Sequence, residues 1–305
     1  MTTASAAQKT ASGQTPALSG AAATGGARWF AALLVGCLAL AIGPYFVRIA
    51  DCGPVSAGFW RLVLPLPVLA LLARRAHQPL MGHSTRTMAV LVLAGLVFGL
   101  DLASWHLGID RTRLGNATLF GNVGSIFLML WGLVVARRRP RGNELAAIAC
   151  ALAGAAILLG RSLEIATATL IGDLLCILAG LFYFSYFVCL SGVQRTVGGW
   201  PLVFYTGVFA APVMAACALW MGEPLWPHMW WPVLALALCS QIIGQGLLVA
   251  ALPRFSPLVI GLALLTQPAV SVVIGLIAFG ERPTLPDGIG MVLVAGALVI
   301  ARVRD

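Results

Sequence analysis

The sequence has few charged residues. They occupy 10% of its 305 positions, whereas hydrophobic residues occupy 60%. A soluble domain carries about 25% charged residues, and a shortage this large leaves too few charges to cover a globular surface. The composition therefore excludes an ordinary soluble protein and indicates that hydrocarbon is the solvent for most of the chain.

Lysine is almost absent. Lys9 is the only one, so the other 18 basic residues behind the net charge of +9 are arginines, and most of them fall between apolar runs. Dispersed in this way, they are typical of topology signals beside anionic lipid and not of a nucleic-acid surface. We therefore expect membrane lipid, and no nucleic acid, as a partner.

Motifs for metals, disulfides and nucleotides are also missing. The seven cysteines form no CxxC spacing, and all but Cys52 lie in apolar runs, where a thiol acts as a small hydrophobe. No His, Cys and Asp pattern has the spacing of a metal site. No glycine-rich phosphate loop is present, so ATP drive would need another subunit. We expect no cofactor and no metal.

Long apolar runs are what the chain does contain. Ten runs are long enough to cross a membrane as helices, and they begin near Trp29, Val55, Met88, Leu114, Glu144, Thr169, Pro201, Trp231, Pro257 and Asp287. Residues 1–27, rich in Ala, Ser, Thr and Gly, lack the order of a signal peptide and are predicted to form a disordered cytoplasmic tail. The pattern predicts an all-α integral membrane protein with ten transmembrane helices.

Basic residues are distributed unevenly between the two sides of such a bundle. If the N-terminus is cytoplasmic, the inner segments hold Lys9 and twelve arginines, whereas the outer segments hold five arginines, namely Arg48, Arg111, Arg113, Arg161 and Arg282. Cytoplasmic segments carry the excess of basic residues. We therefore predict a multi-pass protein of the bacterial inner membrane with both termini in the cytoplasm.

A weak internal repeat divides the chain. Short identities recur in order at offsets of 141 to 143 residues: Tyr45-Phe46-Val47 with Tyr186-Phe187-Val188, Gly132-Leu133 with Gly275-Leu276, and Arg139-Pro140 with Arg282-Pro283. They predict two five-helix repeats, residues 28–162 and 168–305. Because five is an odd number of crossings, the second copy must be inverted, as in many secondary transporters.

The closing stretch GERPTLPDGIGMVLVAGALVI, with Gly280, Glu281, Gly290 and Gly296, resembles the EamA-type exporters of the drug/metabolite transporter superfamily. Further matches are Gly172-Asp173-Leu174, Gln267-Pro268 and Arg61, and the resemblance covers about residues 30–303. The first repeat departs from the family pattern at Arg138, where Glu is usual, and at Ala147, where Gly is usual. The resemblance implies a ten-helix exporter of small metabolites or drugs, without naming the substrate.

Asp101 is the residue that most demands an explanation, because an aspartate at a helix centre costs about 2.5–3.5 kcal/mol in a membrane. Trp105 lies four residues later, on the same helical face. An acid beside an aromatic surface can hold a cationic or polar substrate or exchange a proton. The alternative is a structural bond to a neighbouring helix, with Arg61 or Gln241 as its partner.

Other polar and aromatic residues inside the apolar runs complete the candidate site, and each has a structural alternative. Gln241 and Gln245 lie one turn apart and can bind substrate or join helices. Gln267 precedes Pro268, which frees backbone carbonyls. The remaining candidates are Asn122, Tyr183 and Tyr186 as cavity wall, and Arg61 as a coupling or counter-ion residue. His106 is expected to lie at the outer boundary.

Two functions fit this sequence. The first is a secondary transporter that exports a small molecule by alternating access and is not an enzyme. The second is an intramembrane enzyme, such as an aspartyl peptidase using Asp101 and Asp173. That chemistry needs two facing acids, and Asp101 lies in FGLD and not in GxGD, so transport is favoured. The sequence does not choose between a monomer and a homodimer.

Overall fold

The computed structural model describes residues 26–112, 114–137, 140–160, 167–280 and 285–302. Across these ranges the regular structure is helical and contains no strand. Most of the predicted tail lies outside the described residues, as do Arg113, Arg138, Arg139, Arg161 and residues 281–284, which include Glu281. Gly26 and Ala27, predicted as tail, already belong to the first helix.

Ten long helical rods follow one another along the described chain, and each observed start lies within three residues of the predicted one. Six are continuous helices: α1 (Gly26–Ile49), α3 (Thr85–Arg111), α5 (Gly142–Gly160), α6 (Thr167–Ser191), α7 (Gly199–Trp220) and α10 (Leu285–Arg302). The other four are interrupted: α2 (Pro54–Val63, Leu66–Arg75), α4 (Leu114–Gly121, Val123–Ala136), α8 (Trp230–Leu236, Ala237–Gln245, Gly246–Ala251) and α9 (Pro257–Leu264, Thr266–Phe279). A short helix, Gln194–Val197, lies between α6 and α7.

Seven of these rods are long and apolar enough to cross a membrane, judged over the described residues alone. They are α1, α2, α3, α6, α7, α8 and α9, and their mean hydropathy is 1.8 to 2.2. Shorter apolar helices occur in α4, at Val123–Val135, and in α5, at Gly142–Gly154. The prediction of an all-α membrane protein is confirmed.

The helix interruptions have local causes. In α9 the break at Leu265 lies before Pro268, whose ring nitrogen cannot donate the helical hydrogen bond to the carbonyl of Leu264. In α4 the break falls at Asn122, which is 143 residues before Leu265. The two repeats therefore bend at equivalent positions near the middle of the bundle.

The helices of the two halves pack against one another at short distances. A Cβ atom added to Gly124 in α4 would lie 2.0 Å from the carbonyl oxygen of Gly180 in α6. A Cβ atom on Gly95 in α3 would lie 2.4 Å from Cβ of Phe209 in α7. Both crossings join the first repeat to the second, and each of the two clusters of buried hydrophobic residues contains residues of both halves.

Candidate functional site

A cavity lies where the middle parts of α1, α2, α3, α4, α6, α8 and α9 converge. The space free of protein atoms in and around it, open solvent at its mouth included, is about 480 Å³. Its lining combines apolar side chains with a small number of polar ones, as is usual for small-molecule sites. The lining residues are Leu40, Arg61, Phe98, Asp101, Leu102, Trp105, Thr118, Gly121, Asn122, Tyr183, Gln245 and Gln267.

Asp101 and the aromatic residues of α3 form one wall of the cavity. Phe98, Asp101 and Trp105 are three and four residues apart, which places them on one face of the helix. Asp101 is 7% exposed, and that small exposure is into the cavity that it lines. The predicted pairing of an acid with an aromatic surface is therefore present at the centre of the bundle.

Arg61 reaches the same cavity from α2. The side chain is 3% exposed, and its guanidinium carbon lies 5.9 Å from the ring centroid of Trp105, within cation–π range. Its Nε has no hydrogen-bond partner among the described residues. Arg61 and Asp101 thus bring opposite charges to one small, largely apolar space, where charge is expensive unless water, a partner or a solute compensates it.

Gln245 is held in place by two tyrosines of α6. Its Nε2 donates to the Tyr186 hydroxyl at 3.0 Å, and its Oε1 accepts from the Tyr183 hydroxyl at 3.4 Å. The Tyr186 ring stacks on Phe98 with centroids 4.7 Å apart. The orientation of the Gln245 amide is consequently fixed by its neighbours, which prepares the wall of the cavity for binding.

Asn122 and Gln267 lie at or beside the breaks in α4 and α9. The Asn122 Nδ2 donates to the Thr118 carbonyl at 2.7 Å, and its Oδ1 accepts from Ser125 at 3.3 Å. Gln267 is 8% exposed and lines the cavity two residues after the break in α9. Interrupted backbone at membrane depth is tolerated where it is buried in protein or lines a cavity.

Comparison with known proteins bears on this architecture. The model of the EamA-like transporter family matches the chain twice, over residues 27–160 and 170–303. The chain belongs to the EamA-like transporter family. An uncharacterized transporter from Archaeoglobus fulgidus is 24% identical over 270 residues, which is 85% of this chain and 92% of that protein. A solved crystal structure with 18% identity covers 90% of this chain and 94% of its own, with a TM-score of 0.70.

Two residues predicted for the site of this EamA-like protein lie outside the cavity lining. Tyr186 stands behind the wall as the partner of Gln245. Gln241 is fully buried in the π-helical segment Ala237–Gln245, and neither of its amide atoms has a partner among the described residues. The structure therefore brings together Asp101, Trp105, Arg61, Asn122, Tyr183, Gln245 and Gln267, but not Gln241.

The cavity lining contains residues that the sequence did not predict. Leu40 and Thr118 line the cavity, and the position of Thr118 one turn before Asn122 was the signal that could have found it. The ring of His106, a residue expected at the outer boundary, is fully buried within the protein. Its Nδ1 lies 2.6 Å from the carbonyl oxygen of Pro54, which ties α3 to the start of α2.

Asp173, the second acid considered for an enzyme, has a different environment from Asp101. Its Oδ1 accepts a hydrogen bond from the Thr112 hydroxyl at 2.7 Å, near the start of α6. It does not contribute to the lining of the central cavity. Across the described ranges, no three residues of the types His, Cys, Asp and Glu group closely enough to hold a metal ion.

Proposed function

We propose that this protein is a secondary transporter that exports a small metabolite or drug across the bacterial inner membrane by alternating access. The central cavity is the substrate site, and both termini are cytoplasmic. Membership in the EamA-like family supports membrane transport. The observation that carries the finer proposal is Asp101, an acid that lines a cavity built from both repeats.

The composition of the cavity favours a polar or zwitterionic solute with an apolar part. Asp101 can receive a cationic or hydrogen-bond-donating group, while Arg61 beside Trp105 can receive an anionic one. Phe98 and Leu102 supply apolar contact. Gln245 and Gln267 add uncharged donors and acceptors, which orient a solute without fixing its charge.

Asp101 is also proposed as the proton carrier. A carboxyl group in a cavity that opens alternately to the two sides can take up a proton on one side and release it on the other. The proton and the substrate would then compete for the Asp101 carboxylate, which couples one movement to the other. The neutral amide of an asparagine has nearly the same shape but cannot carry a proton.

The test compares Asp101→Asn with Asp101→Glu. A substrate is first found by overexpressing the protein in cells challenged with a panel of toxic metabolites and cationic drugs. Its flux is then measured in proteoliposomes with and without an imposed pH gradient. We expect the Asn variant to lose gradient-driven flux and the Glu variant to keep part of it with a changed pH profile.

The matched control is Asp110→Asn, which removes an exposed carboxylate from the same helix. It should leave flux unchanged. Full gradient-driven flux by the Asp101→Asn variant would exclude Asp101 as the proton carrier and leave it a structural role.

The alternative, an intramembrane aspartyl peptidase, is disfavoured by the positions of its two acids. Such an enzyme needs both carboxyl groups at one reaction centre. Here Asp101 lines the cavity, whereas Asp173 bonds to Thr112 away from it. Peptide cleavage by the purified protein, lost in Asp101→Asn and in Asp173→Asn alike, would support the enzyme instead.

A further inference from the structure

A connection between α7 and α8 binds the start of α2. Glu223 places Oε1 at 3.4 Å from the backbone nitrogen of Val55 and Oε2 at 2.8 Å from that of Ser56. A Cβ atom on Gly53 would lie 2.2 Å from this carboxylate, so a larger residue there would displace the carboxylate from this position. Two residues later, the Leu225 carbonyl accepts a hydrogen bond from the Trp60 indole at 2.6 Å.

The same arrangement recurs at the other end of the bundle with the halves exchanged. Gln78, between α2 and α3, accepts a hydrogen bond from the backbone nitrogen of Trp200 at the start of α7, at 3.0 Å. A Cβ atom on Gly198 would lie 2.8 Å from the Gln78 amide carbon. Two residues after Gln78, the Leu80 carbonyl accepts a hydrogen bond from the Tyr205 hydroxyl.

The two contacts are equivalent residue by residue. Five members of the first lie 145 positions from a counterpart in the second: Gly53 and Gly198, Val55 and Trp200, Trp60 and Tyr205, Gln78 and Glu223, Leu80 and Leu225. Ser56 is the exception, since Pro201 stands at its equivalent position and has no N–H to donate. Pro79 and Pro224 keep the same offset. A contact that is preserved in this detail in both copies belongs to the inverted repeat itself.

The contacts stand at opposite ends of the antiparallel pair α2 and α7. The rod Pro54–Arg75 has 22 residues, which is about 33 Å of helix and close to the thickness of the hydrocarbon core. Each contact fastens a connection of one repeat to a helix of the other. If the halves separate at one end while they close at the other, one fastening must open each time.

We propose that Glu223 and Gln78 are two latches that open in alternation and so control access to the central cavity from the two ends. The Glu223 latch consists of Glu223 with the backbone of Val55 and Ser56, and the Gln78 latch consists of Gln78 with the backbone of Trp200. This inference rests on the proposed alternating-access function. Its test requires no substrate.

The latches differ in strength. Glu223 is a carboxylate that accepts two N–H groups at a helix N-terminus, whereas Gln78 is a neutral amide that accepts one. Charge-assisted hydrogen bonds are about twice as strong as neutral ones, and a carboxylate gains further from the helix dipole. Asp51 reinforces the Glu223 end by accepting from the backbone of His228 and Met229, at 3.0 and 2.8 Å. The protein therefore rests with its Glu223 end closed more firmly than its Gln78 end.

The experiment measures distances between spin labels at two symmetry-matched pairs of positions. Labels at Ala50 and Met221 report on the Glu223 end. Labels at Arg195 and Ala76, which lie 145 positions from Ala50 and Met221 respectively, report on the Gln78 end. The partly exposed cysteines are replaced by alanine, namely Cys150, Cys189, Cys217 and Cys239. Cys52 stays, because burial raises the pKa of its thiol to about 11 and the reactive thiolate is scarce.

The two latches can be exchanged chemically by Glu223→Gln and Gln78→Glu. Glu223→Gln should raise the ratio of open to closed distances at the Glu223 end about fivefold, the difference between a charged and a neutral hydrogen bond. Gln78→Glu should lower that ratio at the Gln78 end by a similar factor. Asp110→Asn, which removes an exposed carboxylate near the Glu223 end, should change neither distribution.

Each outcome decides the question. Unchanged distributions in both exchange variants would show permanent fastenings and overturn the proposal. If Glu223→Gln broadened the distance distributions equally at both ends, the variant would be loosened as a whole, and this too would overturn the proposal. A shift of either distance distribution in Asp110→Asn would show that net charge, and not the Glu223 latch, controls the distances, and it would also overturn the proposal. Failure of the Asp101 proton test would leave these distances unaffected, so the two proposals fail separately.

Discussion

Gln241 and Gln245 are both buried amides in α8, yet their environments are opposite. Gln245 bonds to the hydroxyl groups of Tyr183 and Tyr186. Gln241 has no partner for either amide atom within the described chain. Removing one partner of a buried hydrogen bond leaves the other partner unsatisfied, which lowers stability. Removing a buried polar group that has no partner relieves the free-energy cost of burying it.

Leucine substitutions should separate these two roles. Gln245→Leu removes the acceptor of the Tyr183 hydroxyl and the donor to the Tyr186 hydroxyl, and should destabilise the protein by about 1–3 kcal/mol, with weaker substrate binding. Gln241→Leu, the matched change one turn away, should leave the unfolding temperature in detergent unchanged or raise it. A lower unfolding temperature for Gln241→Leu than for Gln245→Leu would contradict this assignment.

Helical spacing predicts which residues share a face only where the helix is regular. Asp101 and Trp105 were assigned to one face by α-helical spacing, and the structure has them there. The same reasoning grouped Gln241 with Gln245, but they lie in the π-helical segment Ala237–Gln245, which has a wider turn than an α-helix. Two residues that are four apart in a π-helix therefore do not lie on the same face. The sequence of an apolar run contains no pattern that predicts the wider turn.

At the scale of elements, α4 and α6 cross at short distance through glycines of the two repeats. Gly124 leaves no room for a side chain against the Gly180 carbonyl, and Gly180 in turn approaches the Gly121 carbonyl. Small residues at helix crossings are the usual means by which membrane helices come this near. Hydropathy locates such helices but does not specify which of their glycines lie at a crossing.

Gly124→Ala should force α4 and α6 apart and destabilise the protein by about 1–3 kcal/mol. The matched control is Gly288→Ala in α10, where a Cβ atom meets nothing within 4 Å. That change should be neutral or slightly stabilising, because alanine favours the helix. Thermal unfolding in detergent measures both, and equal unfolding temperatures for the two variants would refute the close crossing.

At the scale of the whole molecule, the orientation in the membrane depends on the distribution of arginine. The α4–α5 connection holds a cluster of arginines that ends at Arg141, whereas the α7–α8 connection that carries Glu223 has no arginine or lysine. These segments stand at opposite ends of the bundle because three helical rods separate them. The basic side should face the cytoplasm.

Reporter fusions test that orientation. A reporter active only in the cytoplasm should be active when fused after Arg141 and silent when fused after Glu223. A periplasmic reporter fused at the same two sites is the control and should give the opposite pattern. If the cytoplasmic reporter were silent after Arg141 and active after Glu223, both termini would be extracytoplasmic and the Glu223 latch would face the cell interior.

The Glu223 and Gln78 latches, which are related by the 145-residue offset, also determine how chimeras of this chain can be built. The glycine that admits Glu223 lies in the opposite repeat, at Gly53, and the one that admits Gln78 is Gly198. Swapping one whole repeat with that of a relative would therefore separate each carboxamide or carboxylate from the pocket that receives it. Chimeras built on this scaffold have to exchange the α1–α2 and α7–α8 connections together, even though they are distant in the gene.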